Sequence, residues 1–144
     1  MEKNYKIIKS SGNLDTYSEY DLIYSPAIVS LKNVENKGLI CVGAWAKYLT
    51  TDNIGNEITC ISVQDANTGN VFSGQSVTFR KSFEDVVDRV SDMEEVPDMF
   101  FIEVLHRTSK SGRDYLICAL VSPDRAFARM GYTEKNIPMP EPQK

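Results

Sequence analysis

A single histidine, His106, is all the imidazole this 144-residue chain contains. A multi-histidine metal site and a two-histidine acid–base pair are therefore both excluded. Cysteine is scarce as well: Cys41, Cys60 and Cys118 make an odd number, no CxxC spacing occurs, and each lies in an apolar run. Buried, reduced thiols are expected from that pattern, rather than a disulfide framework or a zinc site. No apolar run approaches the roughly 20 residues needed to span a bilayer. The opening "MEKNYKIIKSSGN" has basic residues with no continuous hydrophobic stretch behind them, so no signal peptide is expected and the chain is read as cytosolic. Phosphate-cradling P-loops, GxGxxG turns and GxSxG elbows are missing too. No catalytic residue, cofactor or metal is expected, and the chain is read as a non-enzyme.

What is present is unevenly placed charge. The net charge is -4, which by itself argues against a nucleic-acid partner. Residues 82–98, "SFEDVVDRVSDMEEVPD", hold seven acids and one arginine, a local balance of -6, so the rest of the chain is +2. An acidic face can coexist with a basic groove, because fields are screened over about 8 Å at physiological salt. The basic counterpart is "HRTSKSGRDYLICALV" (106–121), where His106, Arg107, Lys110 and Arg113 crowd a Ser-Gly turn ahead of an apolar strand.

Three regions are read along the chain. Residues 1–36 form a polar N-terminal arm holding four of the seven tyrosines, 5, 17, 20 and 24. Residues 37–122 form the folded domain, and 123–144 a short helix ("DRAFARM") followed by a Pro-rich, disordered tail. Within the domain, "GLICVGAWAKYLTT" (38–51), "EITCISVQD" (57–65) and "VFSGQSVTF" (71–79) read as strands, with Gly43 and Gly74 as points of bulge or bend. Phe83, Val86, Val87 and Val90 follow helical spacing, with Ser82 and Asp85 resembling a capping box and Pro97 as the stop. "MFFIEVLHRT" and "RDYLICALV" read as a closing hairpin.

Three strands, one helix and two more strands are the order of an OB-fold. The expected fold is all-β with one helix, a five-stranded OB barrel with an extended N-terminal arm, and an open α+β sheet is the runner-up topology. Such a barrel takes ligand across its second and third strands, between the loop joining strands one and two and the loop joining four and five. The basic turn is that second loop. Arg107, Lys110 and Arg113 are candidate phosphate contacts, with Lys47, Arg80 and Lys81 in support. Bases need flat partners, and Trp45, Tyr48, Phe72 and Tyr115 lie in or beside the groove strands. Trp45 and Tyr48 are three positions apart, hence on opposite faces of a regular strand, so one of them belongs to the core. In the arm, Tyr5, Ile7, Ile8 and Tyr17 are candidates for joining protomers into a dimer or a filament on DNA.

The run from "GLICVGAWAKYLTTDNIGNEITCISVQDANTGNVFSGQSVTFRKSFEDVV" to "FFIEVLHRTSKSGRDYLICAL" resembles the single-stranded-DNA-binding OB-fold proteins of phages and conjugative elements in Gram-positive bacteria, the type carried by enterococcal pheromone-responsive conjugative plasmids among them. The resemblance covers about residues 38–121. It implies sequence-independent coating of single-stranded DNA, often by several protomers along one strand, in plasmid transfer or phage replication. One departure is the end of the chain. "MPEPQK" closes on lysine where cellular single-strand-binding proteins carry an acidic tip, so recruitment of replication partners by that tail is not expected. Two rivals stand beside this reading. One is a protein-interaction module on the same fold that binds no nucleic acid, and the other a nuclease using paired carboxylates between 84 and 95.

Overall fold

The computed structural model describes residues 5–12 and 14–130, so the Pro-rich tail lies outside the described residues. Its spine is β3 (Gly38–Thr51), which changes partners part-way along. Residues 38–42 pair antiparallel with β6 (Phe100–Thr108), and residues 44–51 with β4 (Glu57–Asp65). The switch is at Gly43, where the register to β4 slips between Val42 and Ala44. A Cβ on Gly43 would lie 3.0 Å from that of Ala66, in the turn after β4, so a side chain at the bulge would have to push that turn aside. This curls the sheet. β5 (Val71–Gly74) continues it beyond β4, and β7 (Asp114–Val121) beyond β6.

The chain is thus mostly β, a curled open sheet with few helices, compatible with an OB-like barrel. The strand count and order differ from the five-stranded expectation: among the described residues seven strands form one sheet, in the order β2-β5-β4-β3-β6-β7 with β1 on β3. The two additions come from the region read as an irregular arm. β1 (Tyr5–Ser10) pairs antiparallel with residues 46–50 of β3, and β2 (Val29–Ser30) pairs parallel with β5. Between them α1 (Thr16–Glu19), capped by the Asp15 carboxylate, runs into a π-helical turn at Tyr20–Tyr24. Alternation in "YKIIK" is too short to announce a strand; pairing with the free edge of β3 supplies what local propensity does not.

Helix α2 (Val77–Ser91) begins earlier than its periodicity suggested. Ser76 is the cap, its Oγ accepting from the Phe79 amide at 3.1 Å. Residues 77–79, read as the end of a strand, are instead the first turn. Ser82, read as the cap, donates to the Phe79 carbonyl and accepts from the Cys118 amide at 2.9 Å, tying α2 to β7. The helix stops at Asp92, before Pro97 is reached. Asp92, Glu94 and Glu95 follow, and carboxylates beside the negative C-terminal end of the helix dipole disfavour further turns. Gly74, read as a bend, ends β5, where a Cβ would meet Leu31 Cδ1 at 3.3 Å.

The sheet is covered on both sides. Phe79, Phe83, Val86 and Val90 of α2 pack against Ile40, Val42, Trp45, Ile61, Val63, Ile102 and Val104 on the inner face. On the outer face Leu22 is fully buried against Ala46, Tyr48, Cys60 and Val71, with Ile7, Leu14, Ile23 and Ile28 around it. Helix α3 (Pro123–Arg129) closes a third cluster, with Phe127 edge-on to Phe101 at 5.5 Å. No described helix is long and apolar enough to cross a membrane.

Candidate nucleic-acid interface

The β6–β7 hairpin projects past its own core. Val104, Leu105 and Leu116 are buried, whereas Arg107, Lys110 and Arg113 are exposed. Its turn is built from short polar side chains and one glycine. Ser109 Oγ accepts from the Arg113 amide at 3.1 Å, Thr108 Oγ1 donates to Asp114 at 3.0 Å, and Gly112 takes φ 86°, a region costly for residues with a Cβ. The base is anchored as well. The His106 amide donates to Asn36 Oδ1 at 2.9 Å and its ring Nε2 meets the Val34 carbonyl. The lone histidine is therefore a strut between the hairpin and residues 34–36.

Arg107, Lys110 and Arg113 make no ion pair among the described residues. Arg107 stands opposite the half-buried Tyr115 across the ladder. Lys37 joins them from a distant part of the chain. It is exposed, its amide donates to the Val104 carbonyl at 2.7 Å, and its carbonyl is held by Arg129, which also pairs with Glu103 at 2.6 Å. Nothing in the local sequence marks Lys37; only the pairing of β3 with β6 brings it to the hairpin base.

The other candidates divide. Trp45 and Tyr48 do lie on opposite faces of β3, yet both are buried at 5% exposure, which corrects their reading as stacking platforms. Trp45 stands edge-on to Phe83 at 5.4 Å. Tyr48 Oη bonds to Ser62 Oγ at 3.1 Å under the arm, and burial pushes its phenol pKa up. At 5% exposure neither ring presents a full face on which a base could stack. Phe72 is half-buried and packs against the inner core. Lys47 is engaged by Glu84 at 3.1 Å, and a paired lysine is a poor phosphate ligand. Arg80 is half-buried with its Nε enclosed and without a hydrogen-bond partner, while Lys81 is exposed.

The arm candidates divide too. Tyr5 and Ile7 pack within their own chain, with Tyr5 edge-on to Tyr24 at 5.3 Å, while Ile8 and Tyr17 are exposed at 48% and 82%. The arm also holds rings that were not singled out for stacking. Tyr17, Tyr20 and Tyr24 are the exposed aromatic side chains among the described residues, at 82%, 51% and 45%. Their spacing of three and four residues was visible in the sequence, but only helix formation at 16–24 turns that spacing into one surface. No family model, curated protein or solved structure matches the chain.

Proposed function

We propose that this protein binds single-stranded DNA without sequence preference and without catalysis, as a cytoplasmic OB-fold protein in which β3, β4, β5, α2, β6 and β7 supply the barrel and the arm is an addition. The observation that carries the reading is the hairpin: Arg107, Lys110 and Arg113 are exposed, free of ion pairs and held on a turn fixed by its own hydrogen bonds. A turn already fixed in this way leaves only the side chains to be ordered when they meet a phosphate backbone. Tyr115 and Phe72 offer partial rings near the sheet, and Tyr17, Tyr20 and Tyr24 offer whole ones. Coating by several protomers would draw on Ile8 and Tyr17, the arm candidates that remain exposed.

The test is a salt titration of oligo-dT affinity, read by anisotropy, with duplex DNA alongside. Each neutralised phosphate contributes about 0.7 to the slope of log K against log salt for single strands. Lys110→Ala with Arg113→Ala lowers affinity and flattens the slope by about one unit. An unchanged slope and affinity returns the hairpin to a solvated turn and favours the interaction-module reading.

A further inference from the structure

At the end of the sheet remote from the hairpin turn, the structure leaves an open groove of about 380 Å³. Its walls are the turn after β1 (Ser10–Gly12), the bulge of β3 and the last turn of α2. Val42, Trp45, Val87, Val90 and Phe100 form the apolar floor. The volume falls within the roughly 300–1,000 Å³ of ligand-binding clefts, and an apolar floor with a few polar groups at the edge is their usual make-up. Ser91 and Asp98 supply the polar edge.

The loop that supplies Ser91, Val96, Pro97 and Asp98 to one wall carries the charge. Asp92, Glu94 and Glu95 lie in the chain between Ser91 and Val96, two residues that line the groove, and all three are exposed. Lys9 on the opposite wall is paired with Asp88 at 3.6 Å, so the excess of charge beside the groove is that of the acidic 92–98 loop. Two large apolar side chains stand out of this same acidic loop, Met93 at 42% and Val96 at 58% exposure. Solvated acids alone would account for neither these side chains nor the apolar floor.

We propose that this groove docks a short basic segment of a partner protein, which inserts an apolar side chain over Trp45 and Val90 while its lysines or arginines meet the acidic loop. The charge selects the occupant: phosphate-bearing ligands are repelled, and acidic peptides with them. The chain's own hairpin has the right charge but no apolar residue at its tip, residues 107–113 reading "RTSKSGR". The site is independent of the DNA-binding reading, because the basic turn and the groove share no residue.

Trp45 is the only tryptophan and lies in the floor, so its emission reports occupancy. The probes are three short synthetic peptides of equal length: Lys-Lys-Phe-Leu-Lys-Lys flanked by glycines, the same with glutamate for lysine, and the same with serine for Phe-Leu. Only the first gives a saturable change in emission, and salt weakens it. In Glu94→Lys/Glu95→Lys/Asp98→Lys its affinity drops about tenfold or more, with far-ultraviolet circular dichroism confirming the fold. Val96→Ser, an exposed position, weakens it without changing the salt dependence. The proposal is overturned by no saturable change with the first peptide, by equal response to the glutamate or serine peptide, or by affinity unaffected in the triple variant. Displacement of the peptide by oligo-dT, or a concentration-dependent emission change of the protein alone, would overturn it too, by assigning the groove to nucleic acid or to a second copy.

Discussion

Trp45→Ala separates a structural ring from a stacking ring. The side chain is 5% exposed, edge-on to Phe83 at 5.4 Å, and surrounded by the inner faces of β3, β4 and α2. Truncating a buried tryptophan costs about 3–5 kcal/mol, of which the edge-to-face pair accounts for about 0.5–1.5. That is a large share of the roughly 5–15 kcal/mol that holds a domain together. Trp45→Phe keeps a ring against Phe83 and loses less. Urea unfolding followed by circular dichroism measures both losses, and a common m-value shows that the same surface is exposed on unfolding. Affinity of the folded Trp45→Phe protein for oligo-dT stays at the wild-type value. A stability loss below about 1 kcal/mol in Trp45→Ala together with lost DNA affinity would refute the reasoning and return this ring to the binding surface.

Four further outcomes follow from the same packing. The hairpin substitutions Lys110→Ala and Arg113→Ala leave the urea midpoint within about 0.5 kcal/mol of wild type, since both side chains are exposed; a larger loss would give the turn a structural role. Burial raises the thiol pKa of Cys41 to about 11 and of Cys118 to about 12. A raised folded-state value means that this stability is complete below the ordinary thiol value of 9.0 and is lost as pH rises through 11 to 12; Cys118→Ala should flatten the fall in urea midpoint over that range, and an unchanged fall refutes the assignment. Ser82→Ala strands the Cys118 amide and costs about 1–3 kcal/mol by chemical denaturation, whereas a neutral result would show the amide finding water. Deleting residues 1–12 removes β1 and the packing of Tyr5 and Ile7 around Leu22, so stability falls by on the order of 2 kcal/mol and the melting temperature drops with it; an unaltered melt would make the arm a free appendage.

Local chemistry alone determined a good part of this molecule. The spans 38–51 and 57–65 are strands with the bounds that their composition announced, because turn residues such as Asp52, with its carboxylate bonded to the Ile54 and Asn56 amides, end them abruptly. The basic turn is likewise where its Ser-Gly signal placed it. Residues 71–79 were not legible, because Val77, Thr78 and Phe79 suit a strand as well as a helix and the decision rests on the Ser76 cap and on burial of Phe79 against β3 and β4. The site was legible in its charges and not in its rings. Period two puts Trp45 and Tyr48 on opposite faces, and from that one buried ring and one free ring were expected. Periodicity tells which side chains share a face; it does not tell what covers that face. The covering came from residues 5–28, a polar stretch with no core of its own, whose Ile7, Leu14, Leu22 and Ile28 find apolar partners only once β3 and β4 present Ala46, Tyr48 and Cys60. Exposure is a property of the assembled surface, so Tyr48 is enclosed and Tyr17, Tyr20 and Tyr24 are left in solvent for a reason that no single segment contains.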